Sequence, residues 1–353
     1  MPKLPRLENR VRDRRERKGW TQDELAKRSG LSRAGVSAIE MGRLVPSASA
    51  ALALAGALGC RVEDLFRLDQ PGAAVSPSWA WPPRREPWRY WKAEVGGRVW
   101  LYPAEATPAG VLPHDGIARD GSLADSSDAD PSATLVIATC DPAVALLADA
   151  LRSSGVRLLP LPRSSRAALA LLGEGLVHAS GMHLGSPDAA HDGNAAAVRD
   201  RLGPGFRLLR VARWQEGLCL APGLGLSTVR SALAPGLRWV GREEGSGARQ
   251  CLDELLGDRR KPPRRIATDH RGVAEAVRHG WADLGVCVRL PAEESGLDFL
   301  DVRRESYDLC FPSSMESDPR LQALIAAVRS PQYRRALAAL PGYDPAEAGE
   351  LVL

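Results

Sequence analysis

The stretch from Thr21 to Gly42, TQDELAKRSGLSRAGVSAIEMG, constrains the fold of this chain more than any other. Thr21 and Glu24 stand at the spacing of a capping box, so a helix is expected to start there with two of its otherwise free amide donors satisfied. Gly30 supplies the left-handed turn that ends it. Leu31 fills the corner, and Ser32 caps a second helix. Leu25, Ala26, Val36 and Ile39 fall at spacings that point both helices into one small core. Arg33, Ala34 and Ser37 remain on the outward face of the second helix, as they would on a helix that presents side chains to base edges.

Positive charge gathers around this motif. Residues 1–67 hold 14 Lys and Arg against 8 Asp and Glu, a net of +6 in a chain whose total is +4. The N-terminal fifth therefore has the charge that phosphate neutralisation requires, and the rest is slightly acidic. A basic helical module for protein interaction would share that composition.

From about Leu7 to Phe66 the chain resembles the Xre or phage-repressor family of helix-turn-helix proteins, through TQ, LA, G-S, IE-G, PS, a second LA and D-L in that order. The resemblance implies a further helix starting at Pro46 and Ser47, and a last short one over Val62 to Leu65. It also implies a double-stranded DNA operator as partner, contacted by Thr21, Gln22, Ser32, Arg33, Ala34, Ser37 and Arg43. Gln22 is expected on a phosphate or a base edge, with Arg33, Ala34 and Ser37 facing the major groove. Arg33 is the candidate for guanine, whose O6 and N7 match its fork. Arg43 is expected on phosphate, which positions without specifying. Glu40 is expected to pair with a basic residue of the first helix, Arg10 or Arg14. One copy of such a motif reads few base pairs, so a homodimer or higher homo-oligomer on a two-fold operator is expected.

Beyond residue 70 the length allows two or three domains with cores that need no staples. The most apolar windows, such as LVIATCDPAVALLADAL, are broken by Asp, so no membrane span or signal segment is expected. Cys60, Cys140, Cys219, Cys251, Cys287 and Cys310 stand far apart, with no C-x-x-C pair and no His at metal-ligand spacing. Reduced thiols in a cytoplasm, with no metal and no cofactor, are the expectation.

Between Asp69 and Pro131 the texture turns to Pro, Gly and Trp, with Trp79, Trp81, Trp88, Trp91 and Trp100 among Arg84, Arg85, Arg89 and Lys92. Such aromatics can stack on single-stranded nucleic acid. Alternatively, WRYWKAEVGGRVWLYP alternates like a hairpin turning at Gly96 and Gly97, its tryptophans packing on the next domain or on a second subunit. GSLADSSDADPS, residues 121–132, is poor in apolar residues and reads as a loose connector.

From Thr134 short apolar runs alternate with helical patterns, which implies parallel strands covered by helices. FRLLRVARW and LCLAP read as two strands, as do LDFLDV and YDLCFP. Strand ends run into small or polar residues at Thr139-Cys140-Asp141, at Ser180 to His183, at Gly245-Ser246-Gly247 and at Asp269-His270. Ligands of open α/β sheets sit outside such strand ends.

Over roughly Glu94 to Leu353 the chain resembles a second family, the type 2 periplasmic-binding-protein-like domains, akin to molybdate-binding proteins and LysR-type effector domains. The strings that carry this are CDPA, LVHASGMHL, GREEGSGARQCLDELL and HRGVAEAVRHGWADLGVCV. The fold class expected is thus multidomain: an all-α helix-turn-helix head over 1–68, a Pro/Trp-rich linker with a hairpin over 69–132, and a two-lobed α/β domain over 133–353. Lobe I takes about 133–212 and 305–353, lobe II about 213–304, with crossovers near Arg213 to Leu218 and Arg303 to Asp308. Closure of the lobes on a ligand would be the signal.

Within EEGSGARQ, Gly245, Ser246 and Gly247 are placed to bring backbone N–H groups to an oxyanion at a helix N-terminus, with Arg249 in the first turn. An ordinary glycine turn capped by Ser246 has the same spelling, and the absence of a following Lys-Ser or Lys-Thr excludes a P-loop. Thr139, Cys140, Asp141, Ser180, His183, Trp214, Asp269 and His270 complete the expected ligand-binding set. Asp141 either caps the helix opened by Pro142 or meets an amine or hydroxyl, which would suit a zwitterion or a polar organic acid. The resemblance favours a molybdate- or tungstate-like oxyanion. Two functions follow: a one-component transcription factor whose lobe closure alters operator binding, or an enzyme of dehydratase or deaminase type drawing on Cys140, His183 or Asp269. No nucleophile and base stand at a recognisable spacing, which favours the non-enzymatic reading.

Overall fold

The computed structural model describes residues 6–69, 78–85, 87–107, 110–184, 192–257 and 263–353. The chain forms two compact units, residues 1–75 and 76–353. Residues 70–77, where the expected linker begins, lie outside the described residues.

The first unit runs β1 (Arg6–Asn9), α1 (Val11–Arg17), α2 (Gln22–Ser29), α3 (Arg33–Glu40), α4 (Ala48–Leu58), α5 (Val62–Leu65) and β2 (Phe66–Asp69). The Thr21–Glu24 capping box forms, Gly30 takes the left-handed conformation at φ 69°, and the Ser32 hydroxyl accepts from the Gly35 amide. Val11, Leu25, Val36, Ile39, Leu54, Leu58 and Leu65 fill the core. β1 and β2 pair antiparallel and close the two ends of this helical unit on each other.

Glu40 corrects one expectation, because its partner is Arg15 rather than Arg10 or Arg14. Arg15 donates from Nε to Glu40 at 2.6 Å and from Nη2 at 3.0 Å, and its Nη1 reaches the Trp20 carbonyl at 2.7 Å. Arg15 shares the buried face of α1 with Val11. Breaking such a buried pair from one side typically costs ~3–5 kcal/mol.

The second unit opens with β3 (Ser78–Trp79), β4 (Trp88–Val95), β5 (Arg98–Pro103), β6 (Gly116–Arg119) and β7 (Ser122–Asp125), a five-stranded sheet in the order β3-β5-β4-β6-β7. The hairpin over Gly96 and Gly97 forms as the alternation implies. The first part of the expected loose connector over 121–132 is not loose: residues 121–125 join Gly116–Arg119 in a second hairpin, turning on Asp120 and Gly121, both at positive φ. Composition hid it because β7 is exposed at every position and supplies backbone pairing rather than core. Trp91, Ala93, Val95 and Tyr102 pack with Val136, Leu159 and Leu161, so this sheet shares a core with lobe I. Arg157 clamps the join, donating to both Asp115 oxygens at 2.6 and 2.7 Å and to the Lys92 carbonyl at 2.9 Å.

There follow β8 (Thr134–Thr139), α6 (Val144–Leu151), β9 (Arg157–Pro162), α7 (Ser165–Gly173), β10 (Ala179–Met182), α8 (Asp192–Leu202), β11 (Phe206–Leu220), α9 (Val229–Ala232), β12 (Trp239–Arg242), α10 (Gly247–Leu256), β13 (Arg265–Ala267), α11 (His270–Arg278), β14 (Leu284–Val288), α12 (Arg289–Glu294), β15 (Asp298–Pro312), α13 (Pro319–Arg329), α14 (Pro331–Ala338) and β16 (Tyr343–Asp344). The strand order is β13-β12-β14-β11-β15-β10-β8-β9, with β16 on β11. Two lobes share two strands. The first half of β11 and the last half of β15 belong with β10, β8 and β9, and their other halves with β14, β12 and β13.

The expected four short strands are therefore two long ones. Polar residues over Gln215 to Gly217 and Arg303 to Ser306 read as breaks, but they lie opposite one another in an antiparallel ladder with shifts between Arg210 and Ala212 and between Glu216 and Gly217. Glu216 and Arg303 pair at 3.0 Å while both side chains are buried, which lets charged residues continue a core strand.

Candidate functional site

Several elements end or begin near the middle of β11 and β15. β8 ends at Thr139 and is followed by Cys140 and Asp141; β10 is followed by His183; β12 ends at Arg242; α10 begins at Gly247 and α11 at His270. All are buried. A cavity of about 460 Å³ is lined by Thr139, Cys140, Arg163, Asp269, His270 and Arg271, with Glu105 and Thr107 at its rim.

The two histidines that sequence spacing kept apart come together here. The Cys140 sulfur and ring nitrogens of His183 and His270 lie within 4.8 Å of one another. The two rings are 5.4 Å apart, and the Trp214 ring, stacked on Tyr307 at 4.6 Å, lies 4.8 Å from His183 and 6.1 Å from His270.

Hydrogen bonds assign the roles of the rings. The Val288 amide donates to His270 Nδ1 at 3.3 Å, so that nitrogen carries no proton and Nε2 must carry it. Burial and the positive Arg242 hold His270 well below the usual imidazole range, so it stays neutral. His183 instead joins Nδ1 to Glu305 at 2.6 Å; burial works against its charge, but the neighbouring Cys140 and Glu305 raise it well above that range. Arg303 ties this pair to the crossovers, reaching Glu305 at 2.5 Å, Glu216 at 3.0 Å, Glu254 at 2.7 Å and the Gly247 carbonyl at 3.3 Å. Burial and the adjacent Glu305 push Glu216 up to about 7.

Four buried nitrogens in this region have no hydrogen-bond partner among the described residues: His183 Nε2, His270 Nε2, Trp214 Nε1 and Arg242 Nη1. The rest of the Arg242 fork is held by Glu243 and the Thr268 carbonyl. A buried donor without a partner costs ~1–3 kcal/mol, so such a concentration marks a place where something else accepts. His178 supplies the contrast. It is equally buried, but takes the Val136 amide on Nδ1 and gives Nε2 to the Glu94 carbonyl.

The other expected residues have defined places. Thr139 shares its hydroxyl with Tyr307 at 2.5 Å and the Asp141 amide at 3.0 Å. Asp141 takes the Ala143 amide at 2.9 Å and the Tyr343 hydroxyl at 2.7 Å, and burial holds it above the usual carboxylate range. Ser246 caps α10 by accepting from the Arg249 amide, and donates to the Glu243 carbonyl. Gly245 turns at φ 87° beside Arg166, and Gly247 lies against His183. The Arg249 side chain runs back along α10 to Asp253 at 2.8 Å. Asp269 caps α11 through the Gly272 amide. Ser180 is buried at the end of β10 with no partner for its hydroxyl among the described residues. Sequence reasoning missed Arg242, Glu216, Arg303 and Glu305. An arginine closing a strand just before a glycine turn was the one local signal for Arg242.

In the first unit, α3 carries Arg33, Ala34 and Ser37, with Val36 and Ile39 on its buried side. Arg33 is exposed and 3.6 Å from Asp23. Gln22 gives its amide to Glu40 at 2.8 Å, which ties the start of α2 to the end of α3. Thr21 and Ser32 hold the caps, and Arg43 is exposed past α3.

With this geometry in view, residues 148–329 match the PBP superfamily domain and residues 11–65 the helix-turn-helix domain. The chain belongs to the PBP superfamily, with a helix-turn-helix head: a DNA-binding regulator class joined to a ligand-binding one. The head is 45% identical over 64 residues to an uncharacterised HTH-type transcriptional regulator of Methanothermobacter thermautotrophicus, covering 18% of this chain and 93% of that protein. Over 123 residues the chain is 33% identical to the uncharacterised protein YvgK of Bacillus subtilis, covering 33% of this chain and 39% of YvgK. A phosphate transport receptor of the ABC type from Vibrio cholerae superposes with a TM-score of 0.42 at 12% identity, over 60% of this chain and 99% of that one. Among the described residues, no helix is long and apolar enough to cross a membrane.

Proposed function

We propose that the cleft of the second unit binds a small oxyanion, and that closure of its lobes on that anion changes how a homodimer of this chain holds an operator. The observation that carries the ligand class is the set of buried donors. Trp214 and neutral His270 have only N–H to offer at their orphan nitrogens, Arg242 adds a positive fork, and the His183 imidazolium adds a second charge. This concentration of donors suits an anion rich in oxygen; beside it, Glu216 Oε1 is a buried acceptor that also lacks a hydrogen bond among the described residues. Arg242 takes the role that spacing suggested for Arg249. Asp141, the carboxylate that would repel such an anion, is engaged by Ala143 and Tyr343 and is held towards its neutral form.

Closure has a physical path within the second unit. His183 comes from lobe I, Gly247 from lobe II, and Glu305, Arg303 and Glu216 from the shared strands, so an anion beside His183 pulls on the segments about which the lobes move. We read the unit as a sensor that releases its ligand unchanged. Thermal unfolding of the full chain against molybdate, tungstate, phosphate, sulfate, amino acids and organic acids tests this, since a ligand at 100 times its Kd adds ~2.7 kcal/mol. An oxyanion shift that Arg242→Gln removes is the expected result. A shift only with amino acids, or turnover of any compound tested, would overturn it.

A further inference from the structure

Cys140 stands apart from the other buried cysteines. Cys219 and Cys287 pack in the lobe II core with Val240 and Val273, Cys251 with Leu252 and Leu284, and Cys310 with Leu208. Burial pushes the Cys310 thiol up to about 12. These four are small hydrophobes in service of packing. Cys140 is also buried, yet belongs to none of those clusters, and it lines the 460 Å³ cavity beside His270. Its sulfur lies within 4.8 Å of nitrogens on His183 and His270. Each ring is buried and has one nitrogen without a partner among the described residues.

A thiol is a poor choice if the bound anion needs only hydrogen bonds. Sulfur donates weakly and accepts weakly, where a serine hydroxyl does both well. Next door, Thr139 does supply a hydroxyl, but spends it on Tyr307 and the Asp141 amide. What sulfur offers instead is a soft ligand for a metal. A bare cation does not fit the three residues. His270 keeps its proton on Nε2 because Nδ1 takes the Val288 amide, and the Arg242 guanidinium lies close enough to Cys140 and His270 for its charge to act on both. A metal that arrives already dressed in anionic oxygen meets both conditions.

We infer that Cys140 bonds through sulfur to the central atom of the bound oxyanion, so that the cleft selects oxyanions of transition metals, of the molybdate and tungstate kind, over sulfate and phosphate. This rests on the oxyanion reading. In the step, the sulfur–metal bond forms and one metal–oxygen bond breaks. The departing oxygen leaves as water, carrying the thiol proton and one proton from solvent. The metal keeps its oxidation state, and the bound anion has one negative charge fewer. The phosphorus and sulfur of phosphate and sulfate do not exchange oxygen for a thiol under these conditions, so those ions are held by hydrogen bonds alone.

The test uses the full chain with sodium molybdate. Near-ultraviolet difference spectra report a sulfur-to-metal charge-transfer band, and X-ray absorption at the molybdenum edge reports a sulfur neighbour. Wild type is expected to show both. Cys140→Ser is expected to lose both and to bind molybdate more than about tenfold more weakly, the scale on which metal sites respond to loss of a supporting group, with a smaller loss of sulfate affinity. Cys140→Ala should behave likewise, and the unfolding midpoints of both variants show that they are folded. Molybdate bound without a sulfur neighbour in wild type would overturn the inference while leaving an oxyanion site standing. Absence of binding by every oxyanion would overturn the reading beneath it as well.

Discussion

At the scale of single residues, the lobes approach closely at Gly247. A Cβ there would stand 2.2 Å from the His183 carbonyl and 2.4 Å from its Nδ1, and the near atoms are backbone and a ring fixed by Glu305. Gly247→Ala is therefore expected to hold the lobes apart and abolish the oxyanion-induced rise in unfolding temperature, while the lobes stay folded. A thermal shift equal to wild type would show that this contact does not govern closure. His178 makes a different prediction. Burial lowers it from 6.5 to about 4, so as the pH falls the unfolded chain takes up that proton first. Its contribution to stability is whole above pH 6.5 and is lost as the pH falls from there towards about 4. Urea unfolding midpoints across that range should fall, and His178→Gln should flatten the fall. Gly247 was legible in sequence as part of a glycine turn before a helix. The roles of His183 and His270 were not, because one nitrogen on each ring is committed to a partner far along the chain: Glu305 for one, Val288 for the other.

At the scale of elements, local chemistry that closes within a few residues was read well. The capping box at Thr21, the left-handed Gly30 and the Ser47 cap of α4 each involve atoms at most five residues apart. Elements defined by distant partners were read badly. β7 has no buried residue of its own, and the middles of β11 and β15 are charged residues that only make sense beside each other. The Arg15–Glu40 pair was displaced by one position because the turn of α1 that faces the core is set by Val11 and Arg15 together. For α3, the exposed Arg33 separates specificity from attraction. Arg33→Ala is expected to cost ~1–3 kcal/mol on the operator and relax base preference at one position. Arg43→Ala should weaken all sequences alike and flatten the salt dependence. Binding titrations on selected and scrambled duplexes check both. Equal losses of sequence preference in the two variants would mean that another surface reads the bases.

At the scale of the whole molecule, two compact units carry two chemistries that the sequence already kept apart: charge of +6 in residues 1–67 for phosphate, and strand ends rich in glycine and histidine for a small ligand. The fold of each was legible because it follows from periodicity and turn residues. The proposed ligand site was legible only in outline, because its charged centre is assembled by strands β11 and β15, whose register no local pattern records. In the proposed function, anion and operator binding are linked through this one chain. The most direct measurement is the Kd of the full chain for a selected operator duplex, with and without saturating molybdate, paired with the molybdate Kd with and without duplex. The account predicts that both change by the same factor, about 5- to 150-fold for a coupling of ~1–3 kcal/mol. An operator affinity indifferent to saturating molybdate, in a protein shown to bind it, would contradict the account.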